Sequence, residues 1–177
     1  MSADRGLCGG FNGTVTRQAR AEVVRLQAEN KTVKLLMIGR KSADALRREF
    51  GDLYIDRYEG LQGTSVNYSD AAKIADSIRT GFKAGEFDVC TLIFNKFKNA
   101  ITQEITLTRL IPAKVDNSEV SDGDASTASY EYEPEEDELL TILLPLNLST
   151  QMYGALLESS AAELSLIHIS EPTRRKH

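Results

Sequence analysis

Helical segments with one apolar face alternate along this chain with short, almost uninterrupted apolar runs, and this alternation limits the folds available to it. The runs at 32–39 and 88–95 carry apolar side chains on both faces, as strands do inside a parallel sheet. The segments around them repeat apolar residues at helical spacing. Helices alternating with doubly buried strands are typical of layered α/β domains. The sequence therefore predicts an α/β fold with a mainly parallel sheet.

The predicted order of elements is helix, strand, helix, strand, helix, strand, strand, and then a long C-terminal helix. The first helix follows a glycine-rich turn at 4–13, and Asn12 or Thr14 is predicted to cap it with a side-chain oxygen. Gly51 is predicted to end the second helix because glycine tolerates positive φ. The apolar face of the third helix is predicted to comprise Ala71, Ile74, Ala75, Ile78 and Phe82.

Composition divides the chain into four segments. Residues 1–112 form the predicted α/β domain, of the Rossmann-like layered type, with its first strand largely missing. Residues 113–138 form a predicted loop with ten acidic residues and one lysine. Residues 139–163 read as the start of the long helix, in which Pro145 must produce a kink or a new turn. The composition changes abruptly at 164–177, which we expect to be a non-native tail.

Composition excludes several classes of protein. The net charge is −5, and the basic residues form no stripe with interleaved aromatics, so a nucleic acid is not a predicted partner. No apolar run approaches the roughly 20 residues that span a bilayer. Cys8 and Cys90 have no ligand-type spacing, and we expect them to be reduced thiols unless the fold brings them together.

The glycine turn leaves open an alternative function, a stand-alone Rossmann-like nucleotide-binding protein. A glycine turn that opens a helix can place N–H groups on a phosphate. The spacing here is neither GxGxxG nor a P-loop. A dinucleotide-binding protein usually has an acid that binds ribose near the end of its second strand, which is the run at 32–39 if the largely missing first strand is counted. At that position the chain has Gly39 followed by Arg40 and Lys41, a basic pair suited to a 2′-phosphate. The simpler interpretation is that the glycines permit a tight strand-to-helix turn.

Side-chain catalysis has little support. Both histidines, His168 and His177, lie in the suspected tail. Cys8 precedes a helix N-terminus, which can lower a thiol pKa, but a small buried thiol behind the turn is the favoured interpretation. The acidic loop lacks the ligand spacing of an EF-hand. We therefore predict no catalytic residue, no cofactor and no metal site.

Five motifs carry a resemblance to a known family. DRGLCGGFN at 4–12 matches the signature of the gamma subunits of F-type ATP synthase almost letter for letter. KLLMIGRK at 34–41 resembles the next strand of that family, and FNKF at 94–97 with the later ITQ resembles its following segment. YEP at 132–134 resembles the segment before the last helix of that family, and LLESSAAE at 156–163 resembles part of that helix. The resemblance extends from residue 2 to residue 163.

The resemblance implies a central-stalk (rotor) subunit of the proton-translocating ATP synthase. Such a subunit couples ion flow through a membrane ring to ATP synthesis on other subunits, without catalytic residues of its own. The implied partners are the alpha, beta and epsilon subunits and the c-subunit ring, and the membrane is met only through the complex. The implied location is the cytoplasmic face of the bacterial inner membrane, or the matrix face in mitochondria.

Residue-by-residue carry-over makes two side chains partner contacts and makes the chain a fragment. Tyr130 and Glu133 fall where the family meets the polar loops of the c-ring, although both can equally be exposed loop residues. The coiled-coil shaft of the family is missing from this sequence. The apolar stripe of the last helix beyond Tyr153 would be exposed if nothing covered it, and residues 1–163 alone are expected to aggregate or to bind a hydrophobic dye.

Overall fold

The computed structural model describes residues 1–6, 8, 10–61, 66–99, 102–112 and 136–170. The elements follow the predicted order: α1 (Phe11–Ala28), β1 (Leu35–Ile38), α2 (Arg40–Phe50), β2 (Tyr54–Tyr58), α3 (Tyr68–Lys83), β3 (Cys90–Phe97), β4 (Gln103–Ile111) and α4 (Glu136–Ser170). A short 3₁₀ turn, Gly51–Leu53, connects α2 to β2.

The strands form one parallel and one antiparallel pair. β1 lies parallel to β2, with the second helix as the crossover between them. β3 lies antiparallel to β4, and Phe97 faces Gln103 next to the connection. A parallel return needs a crossover of about a dozen residues, so the short connection here requires a hairpin. The α/β class with a parallel sheet and a C-terminal helix is confirmed, and the hairpin is a further finding.

The first three residues lie between the two pairs of strands. The Ser2 N–H donates to the Ile38 carbonyl of β1 at 2.8 Å. The Met1 amine donates to the Ile93 carbonyl of β3 at 2.8 Å. Ser2 and Ala3 are fully buried. This segment therefore bridges β1 to β3.

The main core lies between α3, the strands and α4. A smaller cluster of Met37, Ala43 and Leu46 fills the space between β1 and α2. The buried residues of the main core are Ile38, Ala71, Ile74, Ala75, Ile78, Leu92, Phe94, Leu110, Leu148, Met152, Ala155 and Leu156.

The predicted cap of α1 is wrong. The N-cap residue is Gly10, and no side chain caps the helix. The Asn12 side chain instead accepts a hydrogen bond from the Ala3 N–H at 2.9 Å and donates to the Arg5 carbonyl at 3.1 Å. The Thr14 hydroxyl donates backwards to the Gly10 carbonyl. Both side chains are engaged in fixing the turn, which leaves neither for capping.

Three further details qualify the predictions. Gly51 has φ −57° and not a positive φ, because the chain continues directly into the 3₁₀ turn. Phe82, predicted to lie on the apolar face of α3, is 44% exposed, because it is the second-last residue of that helix. Its ring contacts the ring of Phe87, with centroids 6.2 Å apart. Pro145 lies inside α4, which is one continuous helix, so no new turn starts there.

Candidate functional site

The glycine turn is a structural joint built around one carboxylate. Asp4 Oδ1 accepts a hydrogen bond from the Arg40 N–H at 2.9 Å, and Oδ2 accepts one from the Gly60 N–H at 2.7 Å. The Ser2 hydroxyl oxygen accepts the Ser42 N–H at 2.9 Å. The N–H groups of Arg40 and Ser42 are free donors of the first turn of α2, which would otherwise attract an anion. The protein itself thus satisfies the donors that a phosphate would need.

The side chain of Arg40, the first residue of the basic pair after β1, is similarly engaged. The Arg40 guanidinium donates to the Asp4 carbonyl at 3.1 Å. A cleft of about 410 Å³ lies beside it between α1 and α2, but Arg20 on its wall pairs with Glu49 at 2.6 Å. The cleft is lined by Asn12, Gly13, Thr16, Arg17, Arg20, Lys41 and Ala45. This arrangement favours the structural interpretation of the turn over the nucleotide-binding alternative.

We expect Asp4→Asn to lower the free energy of unfolding by about 1–3 kcal/mol, the cost of leaving a donor unsatisfied. Asparagine keeps the shape of aspartate but replaces one carboxylate oxygen by an NH₂ group. That NH₂ group would face a backbone N–H, so two donors would meet and neither would have an acceptor. Urea unfolding followed by circular dichroism measures the loss. Asp88→Asn, at an exposed carboxylate, provides the control and should change stability by less than about 0.5 kcal/mol. An equal loss in both variants would contradict the role of Asp4 as a joint.

The two cysteines are buried to different degrees and remain free thiols. Cys8 is 1% exposed and its thiol donates to the Gly6 carbonyl at 3.4 Å. Burial raises the pKa of Cys8, and the negative charge of Glu163 raises it further. Burial also raises the pKa of Cys90 to about 11. Cys8 therefore matches the favoured interpretation of a buried, unreactive thiol.

Helix α4 is anchored to the domain along one buried stripe. The Tyr153 ring packs edge-on against Tyr68 of α3, with centroids 5.6 Å apart. Beyond Tyr153 the apolar stripe is covered by α3, β3 and the glycine turn. The buried positions follow helical spacing along this face: Leu148, Met152, Ala155, Leu156, Ser159, Ser160, Ala162 and Glu163.

Most of the exposed large apolar residues of α4 lie nearer its start. We call residues 142–146 the apolar arm. Four of its side chains are 44–59% exposed: Ile142, Leu143, Leu144 and Leu146. Because successive helical residues are rotated by about 100°, these side chains spread over about 200° of the helix circumference. An exposed apolar surface of this kind is a candidate for contact with another molecule.

The predicted contact residues Tyr130 and Glu133 lie outside the described residues, as does most of the acidic stretch at 113–138. In the sequence Glu133 is three residues before the first residue of α4, Glu136. Among the described residues, no three His, Cys, Asp or Glu side chains are grouped so as to hold a metal ion. None of the described helices combines the length and apolar character needed to cross a membrane.

Sequence comparison identifies a family and its relatives. The family whose model matches residues 1–166 is described as ATP synthase. The ATP synthase gamma chain of Paramagnetospirillum magneticum is 44% identical over 163 residues, and that of Gluconacetobacter diazotrophicus is 46% identical over 164. Each alignment covers 92% of this chain and 55% of the relative. The chain thus spans about half the length of the curated relatives it matches.

Structural comparison gives the same kind of neighbour. The chain is similar to one from the central stalk and c-ring of the Tetrahymena thermophila mitochondrial ATP synthase, with a TM-score of 0.72 and 29% identity. That match covers 96% of this chain and 72% of the neighbour. A chain from the rotor of the Euglena gracilis mitochondrial ATP synthase shares the fold, with a TM-score of 0.64, 16% identity and coverage of 96% and 62%.

Proposed function

Because the chain belongs to the ATP synthase family and its relatives are gamma chains, we propose that it is the globular part of a central-stalk rotor subunit. The observation that carries this proposal is the division of α4 into an anchored half and the apolar arm. The anchored half holds the helix rigidly on the α/β domain. The arm offers the surface through which the domain joins the rest of a rotor. In this role the domain is one part of the rotor and contributes no catalytic residue.

The proposed contact with the c-ring and epsilon subunit combines the arm with Tyr130 and Glu133. In the sequence these two residues lie within about a dozen positions of the arm. A tyrosine ring and a carboxylate can stack on and hydrogen-bond a polar loop, while the arm supplies apolar area. The alpha and beta subunits are the proposed partners at the far end of the stalk. The membrane is reached only through the complex, on the bacterial cytoplasmic or mitochondrial matrix face.

We expect the full chain to bind a purified, detergent-solubilised c-ring from a bacterial relative, as measured by biolayer interferometry. The double variant Ile142→Asn, Leu144→Asn should weaken binding by about tenfold or more, because each loses a buried apolar contact. Tyr130→Ala and Glu133→Ala test the two residues carried over by resemblance. Ile55→Asn, at an exposed apolar position on β2, is the control and should leave binding unchanged.

An equal loss in the arm variant and the control would contradict the proposed contact surface. Absence of binding by the unaltered chain would overturn the proposal that this part of the rotor meets the ring. The nucleotide-binding alternative is tested in the same preparation, since ATP should leave the thermal unfolding temperature unchanged. A ligand present at a hundred times its dissociation constant would stabilise the fold by about 2.7 kcal/mol, which such a measurement detects.

A further inference from the structure

Two polar side chains of α4 are buried, and within the described part of the chain one oxygen of each has no hydrogen-bond partner. Ser159 is fully buried, and Glu163, one helical turn later, is 4% exposed. Within the described part of the chain, Ser159 Oγ and Glu163 Oε2 are among the buried atoms that lack a partner. The neighbouring cluster on this face is apolar and consists of Ala3, Cys8, Phe11, Ala162, Leu166 and Ile167.

The cost of burying Glu163 depends on its charge. A neutral carboxylic acid loses only hydrogen bonds to water when it is buried, whereas an ionised carboxylate also loses its ionic hydration, which costs much more. Burial accordingly raises the pKa of Glu163, and the nearby Asp4 carboxylate raises it further. Arg5 opposes both effects only in part, since the net direction remains upward. Docking of α4 on the turn is therefore favoured by a proton on Glu163.

The other charged and titratable groups around this contact do not supply a counter-ion. In the turn, the negative charge of Glu163 raises the pKa of Cys8, whereas the positive charge of Lys41 in α2 lowers it. From β4, the group that reaches α4 is the uncharged amide of Gln103, which donates to the Ala162 carbonyl at 2.8 Å. At the tip of the hairpin, the exposed Lys98 pairs with Glu104 at 2.7 Å.

We propose that Glu163 is a pH-dependent latch between α4 and the glycine turn. Its neutral form holds the end of the helix on the turn, and its ionised form loosens that contact. The latch goes beyond the rotor function and does not depend on it. The folded pKa is raised, so the stabilisation is fully present below the usual value of 4.5 and is lost as pH rises through the folded pKa.

Cys8 provides a direct readout, because the docked helix end covers its thiol. In a Cys90→Ala background, we expect labelling of Cys8 by a maleimide to rise with pH more steeply than labelling of a free thiol. In Glu163→Gln the side chain stays neutral, so labelling at neutral and alkaline pH should be slower than in the parent. The expected difference is about tenfold for each unit by which the pKa of Glu163 is raised.

The same variant distinguishes a latch from simple electrostatics. If Glu163 acts only through its charge on the Cys8 thiol, its removal lowers the thiol pKa and makes labelling faster, which would overturn the latch. Glu158→Gln is the matched control on the same helix, where the carboxylate accepts the Phe97 N–H at 3.1 Å. It should leave the pH dependence of Cys8 labelling unchanged, and an effect equal to that of Glu163→Gln would also overturn the latch.

The unaltered chain supplies a second measurement, whether or not the glutamine variant folds. The Glu163 carboxyl carbon can be titrated by NMR in selectively labelled protein, alongside hydrogen exchange of the α4 amides at 159–167, corrected for intrinsic rates. The latch requires the opening of this segment to follow the carboxyl titration, with protection highest at low pH. Protection that is independent of the titration, or that increases as Glu163 ionises, would overturn it.

Discussion

Replacing Gly39 by alanine should lower the free energy of unfolding by about 3–5 kcal/mol, a large part of the 5–15 kcal/mol available to a typical domain. Gly39 has φ +90°, and a Cβ atom there would lie 1.7 Å from the Ser2 carbonyl oxygen. Neither residue can move easily, because the Ser2 N–H donates a hydrogen bond to the Ile38 carbonyl and the Gly39 N–H donates one to the Tyr58 carbonyl at 2.8 Å. The methyl group must therefore displace the segment that bridges the two pairs of strands.

Gly85→Ala separates the clash from the backbone strain. Gly85 also has a positive φ, +72°, but nothing lies within 4 Å of its added Cβ. Its substitution should cost only the roughly 1–2 kcal/mol of a left-handed alanine. Urea unfolding of the full chain measures both variants. Equal losses would show that the Ser2 contact contributes nothing, and the bridging role of the N-terminal residues would then be wrong.

Leu156→Ala should cost about 3–4 kcal/mol, because Leu156 is completely buried in the main core and its loss leaves a cavity. The adjacent Leu157 is 43% exposed on the same helix. Leu157→Ala makes the same chemical change with the same helix propensity, so it should cost less than about 1 kcal/mol. Equilibrium unfolding of both variants gives the difference directly.

This pair of variants tests the anchoring of α4 on which the rotor proposal rests. A loss at Leu156 that is no larger than at Leu157 would mean that the helix does not pack on the domain as described. The measurement is independent of ring binding, since the substituted positions lie outside the apolar arm. It is also independent of the latch, whose readout is the pH dependence of Cys8 labelling.

The sequence alone determined the order of the elements and the class of the fold. The runs at 32–39 and 88–95 become β1 and β3 because continuous apolar residues are stable as strands only when both faces are covered. The helical stripe of α3 was predicted correctly at Ala71, Ile74, Ala75 and Ile78, since helical periodicity is a local property. The motif at 4–12 identified the family, which comparison then confirmed.

Only the tertiary structure decided which polar groups meet across the fold. Asp4 and Asn12 read locally as turn and cap residues, yet they bind N–H groups at Arg40, Gly60 and Ala3. Glu163 reads as an ordinary surface acid on a helix, and its burial depends on a turn more than 150 residues earlier in the chain. Periodicity and propensity are set by neighbours along the chain, whereas such contacts are set by packing between distant segments.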